Sequence, residues 1–412
     1  MSTVRHYYAT SEPARAHFVR AVQLMKRKHV NGVSVYDRFV LLHKAATDGA
    51  HHGPAFLPWH RVFLHLFERE MHAVLETSEY GIPYWDWTSE PLDWRTSPMW
   101  KDDFMGPSGD PVPSGPFAAG KWVTHNGGSL VRALGRSARS RVLPDLEQVK
   151  GALSQQFYDT EPWTRESPAG FRNVLEGNVG HPRLHAQVHN WVGGTMGRVP
   201  TSPDDPVFFL HHANIDRLWA QWQMGRDRGF QPVPGFGRRA RPGHNLTDEL
   251  SGLGRRLFEG LDIARLGYCY DLDPGRHARL RCGLGSWAHV VGRSEAGRRI
   301  YASRLYVPLR FRAVPSSVKG FHYLGVEGTD LVLDIEHENR ERGARLILWA
   351  RKSENDADNQ LWELDAYDGF WFVIRSRLNG YALTGEEDGD VVMRPRATGT
   401  PMDGQLWRVA EE

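Results

Sequence analysis

The sequence predicts a mainly α-helical first domain with long loops, followed by an all-β C-terminal domain. Apolar residues recur at helical spacing in segments 13–28 and 58–76. Residues 100–160 are rich in Gly, Pro and Ser, which is typical of long surface loops. After about Asp271, short runs of β-forming residues alternate with Gly, Asn and Asp. We therefore expect a helical domain over residues 1–273 and β structure beyond it.

Further helices are expected later in the first domain. The run Ile82–Trp87, "IPYWDW", indicates a short buried segment or turn. A second helical pair is expected around 185–192 and 206–223, because apolar residues again follow helical spacing. The connection between them contains Gly and Pro, which favour a loop.

Composition and charge argue for an ordinary globular protein. The 412 residues are 40% hydrophobic and 24% charged, and the net charge is only +2. The charge is uneven, since residues 274–320 carry +9 and residues 321–412 carry −9. A basic segment beside an acidic one favours docking within the chain, so we expect no nucleic-acid partner.

The chain shows no sign of a disulfide framework or of membrane insertion. Its two cysteines, Cys269 and Cys282, allow at most one bridge. The first residues lack the apolar core of a signal peptide, and no apolar run reaches transmembrane length. We expect a cytoplasmic protein without a membrane partner, unless another protein exports it.

An internal repeat marks the C-terminal part. The pattern "LVLDI…RLILWA…NQLWEL" is echoed 45 residues later by "YALTG…DVVMRP…GQLWRV", with Gln360–Trp362 and Gln405–Trp407 as anchors. The repeats over 321–412 resemble the ricin-type β-trefoil family. A trefoil needs three repeats, and no such triplet occurs near residue 316. Residues 274–320 are therefore a basic linker or a degenerate first β lobe, the latter supplied by 283–314.

The arrangement of histidines in the sequence indicates a candidate metal site. His185 and His189 lie one helical turn apart, but such a pair alone is better explained by core histidines bonded to the backbone. Two further blocks add His43, His51, His52 and His60, and then His211 and His212. Four helical segments or their adjoining loops thus supply six or more imidazoles.

Only some metals suit such a set. Imidazole binds Zn, Cu, Fe and Ni, but a di-iron bundle needs Glu-x-x-His pairs that these segments lack. Structural zinc normally brings cysteine, and catalytic zinc uses three protein ligands. Two sets of three neutral histidines fit two copper ions.

Several motifs together resemble the tyrosinase family of type 3 copper proteins, most closely its bacterial members. They occur in order as "GPAFLPWHR", "PYWDW", "GPFAA", "FRNVLEG", "HAQVHNWVGG" and "DPVFFLHHANIDRLW". The resemblance spans about 4–271 and ends on "YCYD", similar to the family's Tyr-x-Tyr domain end. It implies a four-helix-bundle core that holds two copper ions.

The resemblance also implies which histidines bind each ion. The first copper would be bound by His43, His51 and His60, and the second by His185, His189 and His212. His51 is preferred to His52 because the family's second ligand lies nine residues before the histidine of "PWHR". His212 is preferred to His211 because the family's ligand lies four residues before the Asp of "HHANID". His52 and His211 are expected behind the ligands or in solvent.

Other side chains are expected to support the ligands. Arg61, Glu68 and Asp216 are candidates to hold the histidine N–H groups, with solvated ion pairs as the alternative. Phe56 and Phe208 are expected to pack on ligand rings. Glu176 matches the family position that holds a water near the second copper, and its alternative is an ordinary surface carboxylate.

Three departures from the family pattern stand out. Gly49 replaces the cysteine that forms a thioether in plant and fungal members. The gap between His43 and His51 is shorter than usual. Ala186 replaces the Asn found beside the first ligand of the second copper in members that hydroxylate monophenols well. Because Ala186 has no hydrogen-bonding side chain, it favours oxidation of o-diphenols or o-aminophenols, which need less help to bind copper, without excluding monophenol hydroxylation.

We therefore expect a type 3 dicopper phenol oxidase that uses O₂ to oxidise o-diphenols or o-aminophenols, with limited monophenol hydroxylation. A full tyrosinase, a haemocyanin-like O₂ carrier and a carbohydrate-binding protein are the alternatives. A copper-delivery or export partner is a further expectation.

The C-terminal module has three candidate roles. It covers the copper pocket, with Tyr323 or Trp371 as a plug, or it binds sugar, or it is structural. Sugar binding is less expected for its last repeat, because "ALTG" lacks the equivalent of Asp334 in "LVLDI".

Overall fold

The computed structural model describes residues 3–9, 11–138, 140–177, 184–225, 243–271, 278–283, 289–303, 308–318, 320–367, 371–399 and 401–410. The chain divides into two compact units. The first contains residues 1–220 and 228–270, and the second contains 221–227 and 271–412. The predicted boundary at residue 273 lies outside the described residues, so it stays a prediction.

The first unit is mainly helical, as predicted. Its helices are α1 (Glu12–Arg27), α2 (Val35–Ala50), α3 (Phe56–Leu75), α4 (Leu146–Leu153), α5 (Phe171–Glu176), α6 (Leu184–Val192), α7 (Val207–Gly225) and α8 (Ile263–Leu266). Short 3₁₀ turns are Trp87–Ser89, Trp94–Thr96, Pro98–Trp100, Val199–Asp204 and Leu257–Gly260. Helix α4 lies within the segment predicted to form loops, and α5 was not predicted.

Local signals set where the first helices begin. The Ser11 side chain accepts a hydrogen bond from the backbone of Ala14 at the start of α1. Ser34 caps α2 in the same way through the backbone of Asp37. Helix α2 ends at Ala50, and the next residue, His51, has extended backbone angles. His51 therefore lies just beyond a helix.

The first unit also contains short strands, one pair of which joins its two ends. They are β1 (Thr3–Arg5), β2 (His29–Val30), β3 (Val33–Ser34), β4 (Glu249–Leu250), β5 (Arg255–Arg256) and β6 (Tyr268–Tyr270). Strand β1 pairs in parallel with β6, so Arg5 lies opposite Tyr270. Hairpins β2–β3 and β4–β5 are antiparallel.

The second unit is built from β-strands. They are β7 (Ala278–Cys282), β8 (His289–Val291), β9 (Tyr301–Ser303), β10 (Arg310–Pro315), β11 (His322–Val326), β12 (Leu331–Ile335), β13 (Leu346–Ala350), β14 (Trp362–Ala366), β15 (Phe372–Ser376), β16 (Ala382–Gly385), β17 (Val391–Arg394) and β18 (Trp407–Ala410). The 3₁₀ turns are Glu336–Glu338, Glu354–Asp356, Asp358–Gln360 and Asp403–Gln405. The β structure expected after about Asp271 is confirmed by these strands.

The pairing of these strands is regular. Pairing runs from β7 to β10, β11, β14, β15 and β18 and returns from β18 to β7. Strands β8–β9, β12–β13 and β16–β17 form three hairpins beside this ring. Part of the segment predicted as a basic linker or degenerate lobe therefore forms β7 to β10.

Aromatic side chains fill the interior of the second unit. Trp362 and Trp407 are fully buried in its main hydrophobic cluster. Tyr323 is fully buried in a smaller cluster with Leu361. Because Tyr323 is a core residue of its own unit, its prediction as a plug for another pocket is wrong.

The helices and the cysteines can be compared with the predictions about membranes and disulfides. No helix in the described part of the chain is both long and apolar enough to cross a bilayer. Both cysteines are thiols, and Cys282 Sγ donates to the carbonyl of Gly404 at 3.6 Å.

Candidate dinuclear metal centre

Helices of the first unit bring the predicted histidines together in two groups. His43 lies on α2, His60 on α3, His185 and His189 on α6, and His212 on α7, while His51 follows α2. One group contains His43, His51 and His60, and the other contains His185, His189, His211 and His212. Within each group, one ring nitrogen of each histidine lies within 4.8 Å of those of the others, and all seven side chains are buried.

Main-chain carbonyls fix the orientation of five rings through Nδ1. The His43 ring contacts Pro200 O at 3.1 Å, and His189 contacts Met196 O at 2.9 Å. The remaining contacts are His51 to Thr47 O at 2.9 Å, His60 to Phe56 O at 2.8 Å and His185 to Glu176 O at 3.2 Å. A carbonyl only accepts hydrogen bonds, so Nδ1 carries the proton and Nε2 keeps a lone pair.

These lone pairs face one another without partners. The Nε2 atoms of His43, His60 and His185 are buried and form no hydrogen bond within the described structure. Nε2 of His189 lies 3.3 Å from Nε2 of His212. Buried polar atoms without partners are costly, and a cation bound between lone pairs removes that cost. The arrangement fits a metal ion in each group.

Burial also keeps the imidazoles neutral. It lowers the pKa of His43 to about 3 and that of His189 to about 4. Burial lowers the pKa of His51 as well, and it places the pKa values of His60, His185 and His212 well below the ordinary value. Only neutral imidazole binds a metal, so the rings are ready to do so at neutral pH.

The two adjacent histidines of α7 have different surroundings. The Trp87 indole N–H donates to His211 Nδ1 at 3.1 Å. Since the indole is a donor only, His211 must carry its proton on Nε2 when it is neutral, and it then offers no lone pair to a metal. His212 instead directs Nε2 toward His189, although His211 also lies within the group.

The two predicted phenyl rings do pack on the histidines. The Phe56 ring centre lies 4.8 Å from that of His60 and 4.9 Å from that of His185. Phe208 stacks on His212 at 4.1 Å and meets His43 edge-on at 5.1 Å. Both phenylalanines are fully buried, so they exclude water from the rings.

The prediction that Arg61, Glu68 and Asp216 hold the histidine N–H groups is wrong. Main-chain carbonyls do so instead, because the helical turn before His51 and before His60 already supplies an acceptor. Asp216 accepts hydrogen bonds from Arg61, from Arg5 at 3.0 Å and from Tyr270 at 2.6 Å. Burial raises the pKa of Asp216, but the arginines lower it further, so the carboxylate stays ionised. This network joins α3 and α7 to β1 and β6.

Glu176, at the end of α5, is buried beside both groups. Its Oε1 accepts the main-chain N–H of His52 at 2.7 Å, and its Oε2 accepts from Arg172 at 3.0 Å. Its main-chain carbonyl accepts from His185. The ring of His52 is 52% exposed, with Nδ1 3.6 Å from Oε1. His52 therefore lies at the rim of the site.

Ala186 and Gly49 occupy the positions where the chain departs from the family pattern. Ala186 lies on α6 next to His185, partly exposed, and offers only a methyl group. Gly49 packs against Ser251, and a Cβ atom built there would lie 2.8 Å from Ser251 Cβ. Position 49 thus has no room for any side chain in this backbone.

Several residues of the site were not predicted. Trp87, Arg172 and Asp159 set the surroundings of His211 and Glu176. The i, i+4 spacing of Arg172 and Glu176 within "FRNVLEG" was a readable signal for their ion pair. Trp87 lies 124 residues from His211 and Asp159 lies 13 residues from Arg172, so neither contact leaves a pattern of helical spacing.

Comparisons with known proteins agree with this geometry. Residues 33–225 match the family description "Common central domain of tyrosinase". A tyrosinase from Streptomyces glaucescens is 41% identical over 255 residues, which cover 57% of this chain and 87% of that protein. The grixazone synthase of Streptomyces griseus is 36% identical over 265 residues, covering 53% and 82%.

A solved structure shares the fold. A variant of the polyphenol oxidase from Thermothelomyces thermophila matches 65% of this chain and 88% of its own with a TM-score of 0.52 and 24% identity. Members of the tyrosinase family use two copper ions, each bound by three histidines, and both histidine groups are present here. With most of a 41% identical tyrosinase covered, the chain belongs to the tyrosinase family of copper oxidoreductases, and two copper ions are its cofactor.

Proposed function

We propose that this enzyme oxidises o-diphenols or o-aminophenols to quinone-type products with O₂ and hydroxylates monophenols only weakly. The observation that carries the proposal is Ala186, the neighbour of His185 on α6. A monophenol must lose its proton before it binds copper, and an amide at this position would help to hold a water for that step. A methyl group gives no such help.

The surroundings of Glu176 also support weak hydroxylation of monophenols. Each carboxylate oxygen already accepts one hydrogen bond, from the backbone of His52 and from Arg172. Each carboxylate oxygen can accept two hydrogen bonds, so Glu176 can still bind a water molecule. Ala186 offers no polar side chain that could hold this water from a second side. We infer that phenol deprotonation is the weak step of this site.

We propose His43, His51 and His60 as ligands of one copper and His185, His189 and His212 as ligands of the other. The Trp87 contact supports His212 over His211, because it places the His211 proton on Nε2. Helices α2, α3, α6 and α7 would then form a four-helix-bundle core around the ions.

Copper supplies the redox chemistry when it is bound, and the protein supplies geometry and a dry site. Two molecules of o-diphenol each lose two electrons and two protons, and one O₂ becomes two waters. Phe56 and Phe208 keep water away from the ligand rings. The carbonyls on Nδ1 hold the rings in the tautomer that binds metal.

Oxygen uptake by the copper-loaded full chain tests the proposal. Catechol and o-aminophenol should drive rapid uptake with coloured quinone products, whereas tyramine should drive slow uptake after a lag. Equal rates on tyramine would favour a full tyrosinase. Binding of O₂ without quinone would favour a haemocyanin-like carrier. A His60→Ala variant is the control for uncatalysed oxidation.

We also propose that the second unit is a ricin-type β-trefoil with a degenerate first repeat. The support is the ring of six strands with three hairpins, and the register within it. Trp362 lies opposite Ser376 and Trp407 opposite Cys282, each at the same place in its strand pair. The matching place in the first repeat is Phe311, opposite Val326. A buried phenyl ring would thus replace the missing tryptophan.

The hydrogen bonds of the two anchors repeat as well. Gln360 Nε2 donates to Ala350 O at 2.9 Å, and Gln405 Nε2 donates to Pro395 O at 2.9 Å. The Trp362 indole donates to Leu333 O, and the Trp407 indole donates to Leu383 O. Both glutamines donate to the carbonyl ten residues before them, and both indoles donate to a leucine carbonyl of the preceding hairpin. These matching contacts support a shared ancestry of the two repeats.

One repeat has a pocket suited to a sugar. Its volume is about 360 Å³, and Asp334, Trp349, Lys352 and Asn359 are among the residues that line it. Trp349 is 44% exposed, so one ring face can stack on a pyranose. Asn359 Nδ2 and Gln360 Nε2 donate to the Asp334 carboxylate at 3.0 and 2.8 Å and fix it for hydroxyl binding.

The last repeat provides an internal comparison. By strand register and by the position before the glutamine, Thr384, Arg394 and Gly404 stand where the pocket has Asp334, Trp349 and Asn359. That repeat therefore lacks the carboxylate, the indole and the amide. We infer that the pocket at Asp334 binds a carbohydrate and that its counterpart at Thr384 does not.

A further inference from the structure

The ligands of the first copper differ in how they are supported. His43 lies within α2 and His60 within α3, so the helical backbone holds both. His51 follows the last residue of α2, with φ −127° and ψ 159°. The His51 ring keeps one contact to the helix, from Nδ1 to Thr47 O at 2.9 Å. Its backbone lies outside the helix and is held less firmly, so its position also depends on contacts made by the turn that follows it.

That turn is tied to a distant part of the first unit. Glu176 Oε1 accepts the main-chain N–H of His52 at 2.7 Å. His52 has φ +60°, a left-handed conformation that is unfavourable for a side chain with a Cβ atom and needs outside support. The Tyr158 hydroxyl also donates to Pro54 O at 2.7 Å.

Arg172 holds Glu176 in place for this contact. Its Nη1 donates to Glu176 Oε2 at 3.0 Å, while Nε and Nη2 donate to Asp159 at 2.9 and 2.6 Å. Nη2 also donates to Thr164 O at 3.1 Å. All three charged side chains are buried, so their geometry is fixed by these bonds rather than by solvent.

Glu176 reaches the second histidine group through a different atom. His185 Nδ1 contacts the main-chain carbonyl of Glu176 at 3.2 Å. A change in the side chain leaves this carbonyl present. The side chain therefore serves the turn after His51, and the main chain serves His185.

We infer that the Glu176 side chain, held by Arg172, is a positioning group for the first copper site. It fixes the backbone of His52 and thereby the ring of His51. The inference rests on the ligands assigned under the proposed function and adds to the expected role of Glu176 in holding a water.

Copper retention at each site separately tests this. The full chain with His189→Ala keeps only the first site intact, and the full chain with His60→Ala keeps only the second. Arg172→Gln in the first background should weaken copper binding about tenfold, in the range seen when outer partners of ligands are removed. In the second background it should change binding less than twofold. Competition against a copper chelator measures both.

Matched variants separate positioning from simple charge burial. Arg172→Gln leaves two buried carboxylates without their shared cation, and adding Asp159→Asn removes one of these charges. If the double variant regains full affinity at the first site, or if both sites weaken equally, the inference is wrong. Arg172→Lys keeps the charge but loses the fork, so it should regain only part of the affinity.

If Arg172→Gln fails to fold, a second pair of variants, at Glu176, tests the same inference. Glu176→Gln retains a hydrogen-bond acceptor for His52, whereas Glu176→Met has similar size and no acceptor. First-site affinity should fall in the order wild type, Gln, Met; equal affinity in the two variants overturns the inference. A wild-type chain that retains two coppers but does not oxidise catechol rejects the proposed function without deciding this inference, because the readout here is copper binding.

Discussion

The indole N–H of Trp87 donates to Nδ1 of His211 at 3.1 Å, and this contact gives two adjacent histidines different chemistry. His211 must carry its proton on Nε2, whereas Nε2 of His212 faces that of His189 at 3.3 Å. We predict that His212→Ala lowers the copper content from two ions per chain to one. His211→Gln should leave two ions bound. Elemental analysis after removal of loose metal provides the measurement.

The test depends on the difference in copper content between His212→Ala and His211→Gln. Both residues are fully buried in α7, so loss of folding would lower copper in both. Thermal unfolding of the copper-free proteins controls for this. Loss of one ion in His211→Gln, with two retained in His212→Ala, would exchange the two assignments.

The sequence predicted the histidine set well because its signals are local. His185 and His189 share a helical face, and the "PWHR" and "HHANID" motifs are contiguous. It predicted the supporting contacts poorly because most of them are made by main-chain carbonyls, which leave no mark in the sequence. Pro200 and Met196 hold ligand rings through carbonyls, and any residue type carries a carbonyl.

The same distinction holds for the second unit. The triplets at Gln360 and Gln405 were readable because tryptophan and glutamine side chains make repeated contacts there. The sequence left a degenerate first repeat open, because the proposed counterpart of the two tryptophans is Phe311, which is buried as they are but does not match the Gln-x-Trp motif.

Ala186 should set the substrate preference. We predict that Ala186→Asn raises the ratio of monophenol to diphenol activity several-fold, because one added hydrogen bond to a bound water contributes about 1 kcal/mol. Initial rates on tyramine and catechol, taken per bound copper, give the ratio. Ala186→Leu, which adds similar bulk without a hydrogen bond, is the matched control. The same rise in both variants would assign the effect to size.

Gly49 should tolerate no side chain while Ser251 is present. A Cβ atom at position 49 would lie 2.8 Å from Ser251 Cβ, so Gly49→Ala should lower the free energy of unfolding by about 1–3 kcal/mol. Ser251→Gly removes the opposing Cβ and keeps the carbonyl that accepts from Trp59. The double variant should recover most of the loss in denaturant titrations of the copper-free chain. Additive losses would contradict the steric explanation.

The pocket of the second unit should bind sugar in a pH-dependent manner. Burial raises the pKa of Asp334 to about 6, although Gln360, Lys352 and Asn359 oppose this. The ionised carboxylate is the hydroxyl acceptor, so binding should be full above about pH 7 and should weaken as the pH falls through 6. Calorimetry of the full chain with lactose, cellobiose, xylobiose and chitobiose measures this dependence. Asp334→Asn keeps the shape of the side chain but cannot ionise, so its residual sugar binding should not change with pH.

Trp349→Ala should abolish sugar binding, whereas Arg394→Ala in the last repeat should not alter it. Binding of none of the four sugars, or binding equally sensitive to Arg394→Ala, would contradict the assignment of this pocket.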